Sequence, residues 1–352
     1  MTVPSRFASC AVFLAVFARP VAGAPLTTRS SPGGLWAQSY INQGDQRPFE
    51  IQPAFHFHNY GFTAGYNQRF LTLWIGGLSL ARHNDHFEYP DTRVDTHARG
   101  LQPAARLYYD RGRFLASFTS SVMTYRSNVE QVLDGPGGAF TDARAQTLRS
   151  YQQAVYVQYN FGSAVYPTFP RIYKLSARFP RRSRPTLRDL DGGPRADVDR
   201  VYPPLNDAGR TVLAPWARLT DRDDAVDGYT ARGTTPATDY AVLPYHQRFR
   251  KGSLGLDAGY YIVPETVLLV VSGGWTRELK RNHVQWESRL LSDPPGVTYH
   301  NEAPRAPANT YEFGGGLRVF TGWGVAARLM YRHVQTQRFK SGTYSFNLEY
   351  GL

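Results

Sequence analysis

The sequence predicts an all-β protein, a closed antiparallel transmembrane β-barrel of about twelve strands with short periplasmic turns and long outer loops. Three observations predict it: an export signal at the N-terminus, short segments in which apolar and polar residues alternate, and connections that alternate in length. The signal occupies residues 1–24. Arg6 supplies the early positive charge, Cys10 to Ala18 forms a short apolar run, and Ala22-Gly23-Ala24 has the small-x-small form of a cleavage site. The run is far shorter than the roughly 20 residues a membrane helix needs. Residues 25–352 are then the barrel. Cys10 is the only cysteine, so cleavage leaves no thiol and no disulfide, and stability must come from elsewhere. A closed barrel in lipid obtains it by pairing every backbone group.

After residue 24 no long stretch has apolar residues at helical spacing. The chain is rich instead in Tyr (23), Phe (20) and Gly (32). The C-terminal hundred residues alternate most clearly. Leu254, Leu256, Ala258 and Tyr260 interleave with Gly255, Asp257 and Gly259. Tyr311, Phe313, Leu317 and Val319 leave Glu312 and Arg318 on the opposite face, and Val325, Ala327, Leu329 and Tyr331 do the same for Arg328 and Arg332. Tyr344, Phe346, Leu348 and Tyr350 alternate with Ser345, Asn347 and Glu349. Successive strand residues point to opposite faces, so each segment has an apolar face for lipid and a polar face for a lumen.

Short links fall near 69–71, 110–112, 263–265 and 321–322, and longer polar ones near 43–49, 83–97, 128–146, 181–245 and 283–306. This spacing predicts strands at 34–43, 50–69, 71–83, 98–109, 113–127, 147–161, 170–180, 246–262, 265–282, 307–320, 323–335 and 342–351, with both ends of the barrel on the periplasmic side. Trp36, Tyr108, Tyr109, Tyr159, Phe161, Tyr260, Tyr261, Phe320, Trp323 and Tyr350 fall at the periplasmic strand ends, the depth that aromatic rings with a polar edge favour.

The opening of the barrel resembles the translocator barrel of bacterial autotransporters. The likeness lies in Leu35-Trp36-Ala37-Gln38-Ser39-Tyr40, in Gly61-Phe62-Thr63-Ala64-Gly65-Tyr66-Asn67-Gln68-Arg69-Phe70, and in Leu73-Trp74-Ile75-Gly76-Gly77-Leu78-Ser79-Leu80. The resemblance implies about twelve strands, in keeping with the count above. It does not imply self-secretion: no passenger domain and no pore helix are expected, and the chain ends on Leu352 where the assembly signal of such barrels ends in an aromatic, although Phe346 and Tyr350 keep the alternating aromatic pattern.

No catalytic constellation, phosphate loop or thiol site is present, so no catalytic residue, metal or cofactor is expected. His56 and His58 share a strand face, and with Asp85 and His86 they are the only grouping that suggests a hydrolase. The segment 181–245, rich in Arg, Asp, Pro and Gly, is expected to be a long outer loop or one folded into the barrel; its Asp221, Asp223, Asp224 and Asp227 are read as a solvated polar run.

The net charge of +12, less Arg6 and Arg19 of the signal, leaves +10. Nucleic acid is not the expected partner of an exported barrel. Arg69, Arg106, Asp257, Glu312, Arg318, Arg328, Arg332 and Glu349 fall on the lumen face and are the expected pore-lining set, with Glu312 close to Arg332 across a turn. Arginines in a pore favour anions. The expected function is a bacterial outer-membrane channel for small polar or anionic solutes, with outer-membrane lipid and the outer-membrane assembly machinery as its other partners. The alternative is a non-conducting barrel with a surface-interaction, assembly or secretion role.

Overall fold

The computed structural model describes residues 33–48, 53–162, 211–263, 266–302, 309–320 and 325–351, apart from residues 72, 112, 136, 137, 233, 234, 236, 238 and 282–284. Twelve strands close into one antiparallel barrel: β1 (Gly33–Gln46), β2 (Phe55–Leu71), β3 (Trp74–Tyr89), β4 (Val94–Arg111), β5 (Phe114–Gly135), β6 (Gly138–Tyr159), β7 (Thr211–Val226), β10 (Tyr245–Val263), β11 (Val267–Arg281), β14 (Asn309–Phe320), β15 (Val325–Gln335) and β16 (Phe339–Gly351). Each pairs with its neighbour in sequence, and β1 closes on β16 from Gly34↔Gly351 to Gln46↔Phe339. Four short strands form a separate sheet in the order β13-β12-β9-β8: β8 (Tyr229–Ala231), β9 (Tyr240–Val242), β12 (Gln285–Leu290) and β13 (Tyr299–Glu302). They belong to the two longest connections at the end of the barrel remote from the termini.

The alternation is strict, and it changes sign along the barrel axis. Near the termini the outward residues are apolar and exposed, among them Leu78, Leu107, Phe118, Leu256, Leu317 and Phe346. Aromatic rings border this band: Trp74, Tyr109, Tyr159, Tyr260 and Tyr350 on the termini side, and Tyr60, Tyr151, Tyr311, Tyr331 and Tyr344 on the other. An outward apolar band between two aromatic girdles is the mark of an outer-membrane barrel. The protein is therefore a bacterial outer-membrane barrel, with lipid around the band.

Beyond the second girdle the outward positions become charged and the inward ones apolar. On β3, Leu78 and Leu80 give way to Arg82, His86 and Glu88, while the inward Phe87 and Tyr89 are at most 2 % exposed. β5 and β6 run for 22 residues each, whereas about 10 suffice to cross a bilayer. Their far halves stand in water and enclose an apolar core.

This inversion explains where the sequence-based strand limits fail. Segments 83–97 and 128–146 contain polar residues throughout and read as loops. Among the described residues they are mostly strand, broken by a short 3-10 turn at Pro90–Thr92 and by the Gly135–Gly138 pair that ends β5 and begins β6. Arg93 takes a left-handed conformation (φ +49°) after the first and Gly138 a positive φ of +110° at the second; at Gly138 the missing Cβ makes this unstrained.

The seventh strand is also corrected. Residues 170–180 lie outside the described residues, and the seventh barrel strand is β7, inside the segment expected to be a loop over 181–245. Strand order further places Gly162 and Thr211, which flank residues 163–210, at the termini end. There Asn160 Oδ1 accepts hydrogen bonds from Gly162 N (3.0 Å) and Leu213 N (3.2 Å). That connection thus leaves from the short-turn end and not from the outer one.

Candidate functional site

The interior is the candidate site. At membrane level it is built from polar side chains and glycines, with two buried apolar clusters toward the termini end, one around Val212, Leu268, Val270 and Phe320 and one around Ile75, Leu115, Tyr156 and Trp216. Gly61 and Gly65 lie under Tyr40 and Trp36, where an added Cβ would come within 2.5 Å of each ring; at Gly100 a Cβ would come within 2.7 Å of Tyr125. Trp216 lies likewise over Gly255 and Gly274. Glycine lets these rings lie against the wall instead of projecting across the lumen, a cross-strand pairing that also fixes register. Inward residues at this level, including Thr63, Gln102, Thr119, Ser272, Thr276 and Ser345, keep partial accessibility.

All eight residues expected to line a pore sit on the inward face, but not as a ring of free charges. Arg318 Nη2 donates to Glu349 Oε2 at 2.9 Å, with side chains only 3 % and 2 % exposed. Arg328 is the register partner of Arg318 on β15 and is 7 % exposed. Arg332 forms an ion pair with Glu312, as the turn geometry led us to expect. Asp257 accepts hydrogen bonds from Gln158 Nε2 and Trp216 Nε1, both at 3.2 Å. Arg106 lays its guanidinium 4.9 Å from the centre of the Trp36 ring. Arg69 faces inward near the termini end.

The misplaced seventh strand hid two further inward cations, Arg218 and Arg222 of β7, and Lys251 projects inward from β10, within the strand expected at 246–262. Arg222 Nε donates to Asp224 Oδ1 at 2.7 Å, and Gln247 also serves that carboxylate. Arg218 stacks 5.8 Å from the Trp216 ring centre and, like Arg106, has no ion pair among the described residues. The Asp221–Asp227 run is divided by the wall: Asp224 points inward, while Asp221 and Asp223 point outward. The signal was present in Val212-x-Ala214-x-Trp216, but Pro215 and the aspartates made it read as loop.

Above the polar lumen the interior closes. Phe55, Phe57, Phe87, Tyr89, Val94, Tyr125, Val129, Leu148, Val226 and Tyr245 project inward at the outer mouth and join Ala231, Tyr240, Val242 and Trp286 of the small sheet in one buried cluster. Phe57 and Phe339 stack with ring centres 5.5 Å apart. The sheet is held by Leu243 N to Glu287 O (2.9 Å) and Leu291 N to Asp239 O (2.8 Å). Arg144 of β6 packs 5.4 Å from the centre of Tyr229 on β8. On β13 the Tyr299 hydroxyl donates to Asp293 at 2.7 Å, and this carboxylate raises the phenol above its ordinary pKa. The sheet is a lid, its apolar face turned into the barrel.

The aromatic residues expected at the periplasmic interface divide by parity. Tyr109, Tyr159, Phe161, Tyr260 and Tyr350 face outward, whereas Trp36, Tyr108, Tyr261 and Phe320 are buried inside; Trp323 lies outside the described residues. The histidines suggested for hydrolysis are not assembled with Asp85. His56, His58 and His86 face outward, and Asp85 faces the interior. A different grouping forms on the outer surface. His86 Nε2 donates to Asp95 Oδ1 (2.7 Å), His97 Nε2 lies 3.7 Å from the same oxygen, and the two rings stack at 4.2 Å. These are metal-ligand residue types, but the carboxylate is already engaged, and the trio is a hydrogen-bonded surface cluster.

No protein-family model and no curated protein matches the chain. Solved structures do. The translocator domain of autotransporter NalP from Neisseria meningitidis superposes with a TM-score of 0.66 at 11% identity, covering 98% of each chain. The transport unit of AIDA-I from Escherichia coli gives 0.59 at 9%, covering 99% of this chain and 97% of that one. The β domain of Bordetella BrkA gives 0.57 at 14%, covering 91% and 100%. The chain has the fold of an autotransporter translocator barrel. At these identities the likeness concerns the course of the backbone, so the chemistry of this interior rests on its own residues.

Proposed function

We propose that the protein is an outer-membrane channel for small polar solutes, held shut at its outer mouth by the lid sheet. The observation that carries this reading is the middle of the interior, which is polar, glycine-lined and partly accessible, between buried apolar clusters at the termini end and the apolar seal at the outer mouth. A barrel of twelve strands is intermediate in width, because interior space grows with strand number. Arg144, Arg222, Arg318 and Arg332 pair with carboxylates, and Arg106, Arg218 and Lys251 are inward cations with no ion pair among the described residues, placed to attract an anion. Anion preference is therefore modest and resides in those three residues. β16, with Phe346 and Tyr350 facing lipid, is the segment offered to the assembly machinery.

The apolar seal also favours a second reading, a non-conducting barrel with a surface, assembly or secretion role. Conductance of the refolded protein in a planar bilayer separates the two. A channel shows openings that lengthen when Trp286→Ala and Tyr240→Ala loosen the lid, and an anion preference that falls with Arg106→Gln and Arg218→Gln. A folded barrel that stays silent with the lid loosened establishes the second reading.

A further inference from the structure

Where the outward surface changes from apolar to charged, four strands carry arginine at the boundary. Arg82 on β3, Arg99 on β4, Arg126 on β5 and Arg149 on β6 all face outward and are exposed. Arg99 and Arg126 are direct register partners. Arg149 lies opposite Thr124, two residues from Arg126, and Arg82 lies opposite Leu101, two residues from Arg99. The four thus form one staggered row across adjacent strands. Directly on its lipid side are Leu80, Leu101, Val122 and Tyr151, each at least 37 % exposed. The row stands at headgroup depth.

None of the four forms an ion pair or hydrogen bond among the described residues. This differs from the next two strands around the barrel, where Asp221 of β7 binds Arg248 (2.5 Å) and Arg250 (3.2 Å) of β10. The chain supplies a carboxylate to one set of boundary arginines and none to the other. Like charges directly opposite on paired strands are destabilising, so the Arg99–Arg126 pair calls for an anion from outside. Guanidinium groups bind phosphate through paired, charge-assisted hydrogen bonds. At this depth the phosphates available are those of the lipid itself.

We infer that Arg82, Arg99, Arg126 and Arg149 form a binding site for the phosphorylated headgroup of an outer-leaflet lipid. The acyl chains would lie along Leu80, Leu101 and Val122, and the phosphates would span the Arg99–Arg126 pair. The site needs neither an open lumen nor a moving lid, so it stands independently of the channel reading.

The test uses the full barrel refolded in phosphatidylcholine vesicles with or without bisphosphorylated lipid A, then extracted and weighed intact by native mass spectrometry. The wild type should retain lipid A, and Arg99→Gln with Arg126→Gln should retain roughly thirtyfold less, since each basic residue at an anionic lipid surface contributes about fivefold. Arg99→Lys with Arg126→Lys keeps the charge and should recover part of the retention. Arg82→Gln with Arg149→Gln provides an independent loss at the ends of the row. Heat-modifiable migration of every variant establishes that it is folded. Equal retention by the wild type and both glutamine pairs would overturn the proposal. Displacement of lipid A by millimolar inorganic phosphate would overturn it too, because the site would then serve a free anion.

Discussion

The Arg318–Glu349 pair shows how much a single residue can carry in this interior. Both side chains are almost fully buried, and the Arg318 guanidinium donates to the Glu349 carboxylate at 2.9 Å. Removing one member of such a pair leaves an uncompensated charge at a cost of about 3–5 kcal/mol. Glu349→Ala is therefore expected to lower the urea midpoint of the folded barrel, read from its heat-modifiable band. Arg318→Met with Glu349→Met should recover most of the loss, since apolar replacement of both partners removes the stranded charge. At this scale the sequence was informative about face and weaker about partner. Alternation placed Arg318, Arg328 and Glu349 inward, and turn geometry joined Glu312 to Arg332. Nothing local revealed that Asp257 meets Trp216 and Gln158, because these contacts depend on a register between strands 41 and 99 residues apart in the chain.

Two elements deserve separate predictions, the wall and the lid. Gly65 lies under Trp36, so Gly65→Val must displace the ring and is expected to destabilise the β1–β2 pairing by about 1–3 kcal/mol. Combining it with Trp36→Ala should relieve part of that cost, measured by the same urea titration. Trp286 belongs to the buried cluster beneath the lid, and truncating a buried Trp costs about 3–5 kcal/mol. Trp286→Ala should expose residues 229–242 and 285–302 to protease while the barrel strands stay protected. The lid strands were not readable in advance, since runs of three to six residues are too short to show a period. β7 was missed for another reason: Pro215 removes a backbone donor and normally argues against a central strand. Here it faces lipid opposite Leu256.

For the molecule as a whole, the sequence conveyed a closed barrel of twelve strands but not the reversal of its faces. A pattern of alternating residues looks the same whether the apolar face points to lipid or to an enclosed core. Depth decides between the two, and depth appears only after the strands are set side by side. The reversal predicts opposite responses to one substitution. Leu256→Arg, in the lipid band, should cost about 2–4 kcal/mol, whereas Asn128→Arg, outward but above it, should cost little. The most direct test uses the absence of cysteine after Cys10. Single cysteines placed at each position from 78 to 89 of β3, in the vesicle-inserted barrel, would be exposed to a membrane-impermeant maleimide. The account predicts no labelling at the lipid-facing 78 and 80, rapid labelling at the outward 84, 86 and 88, and protection again at the inward 87 and 89. Labelling at 87 and 89 with protection at 86 and 88 would contradict it, because the apolar face would then remain outward along the whole strand.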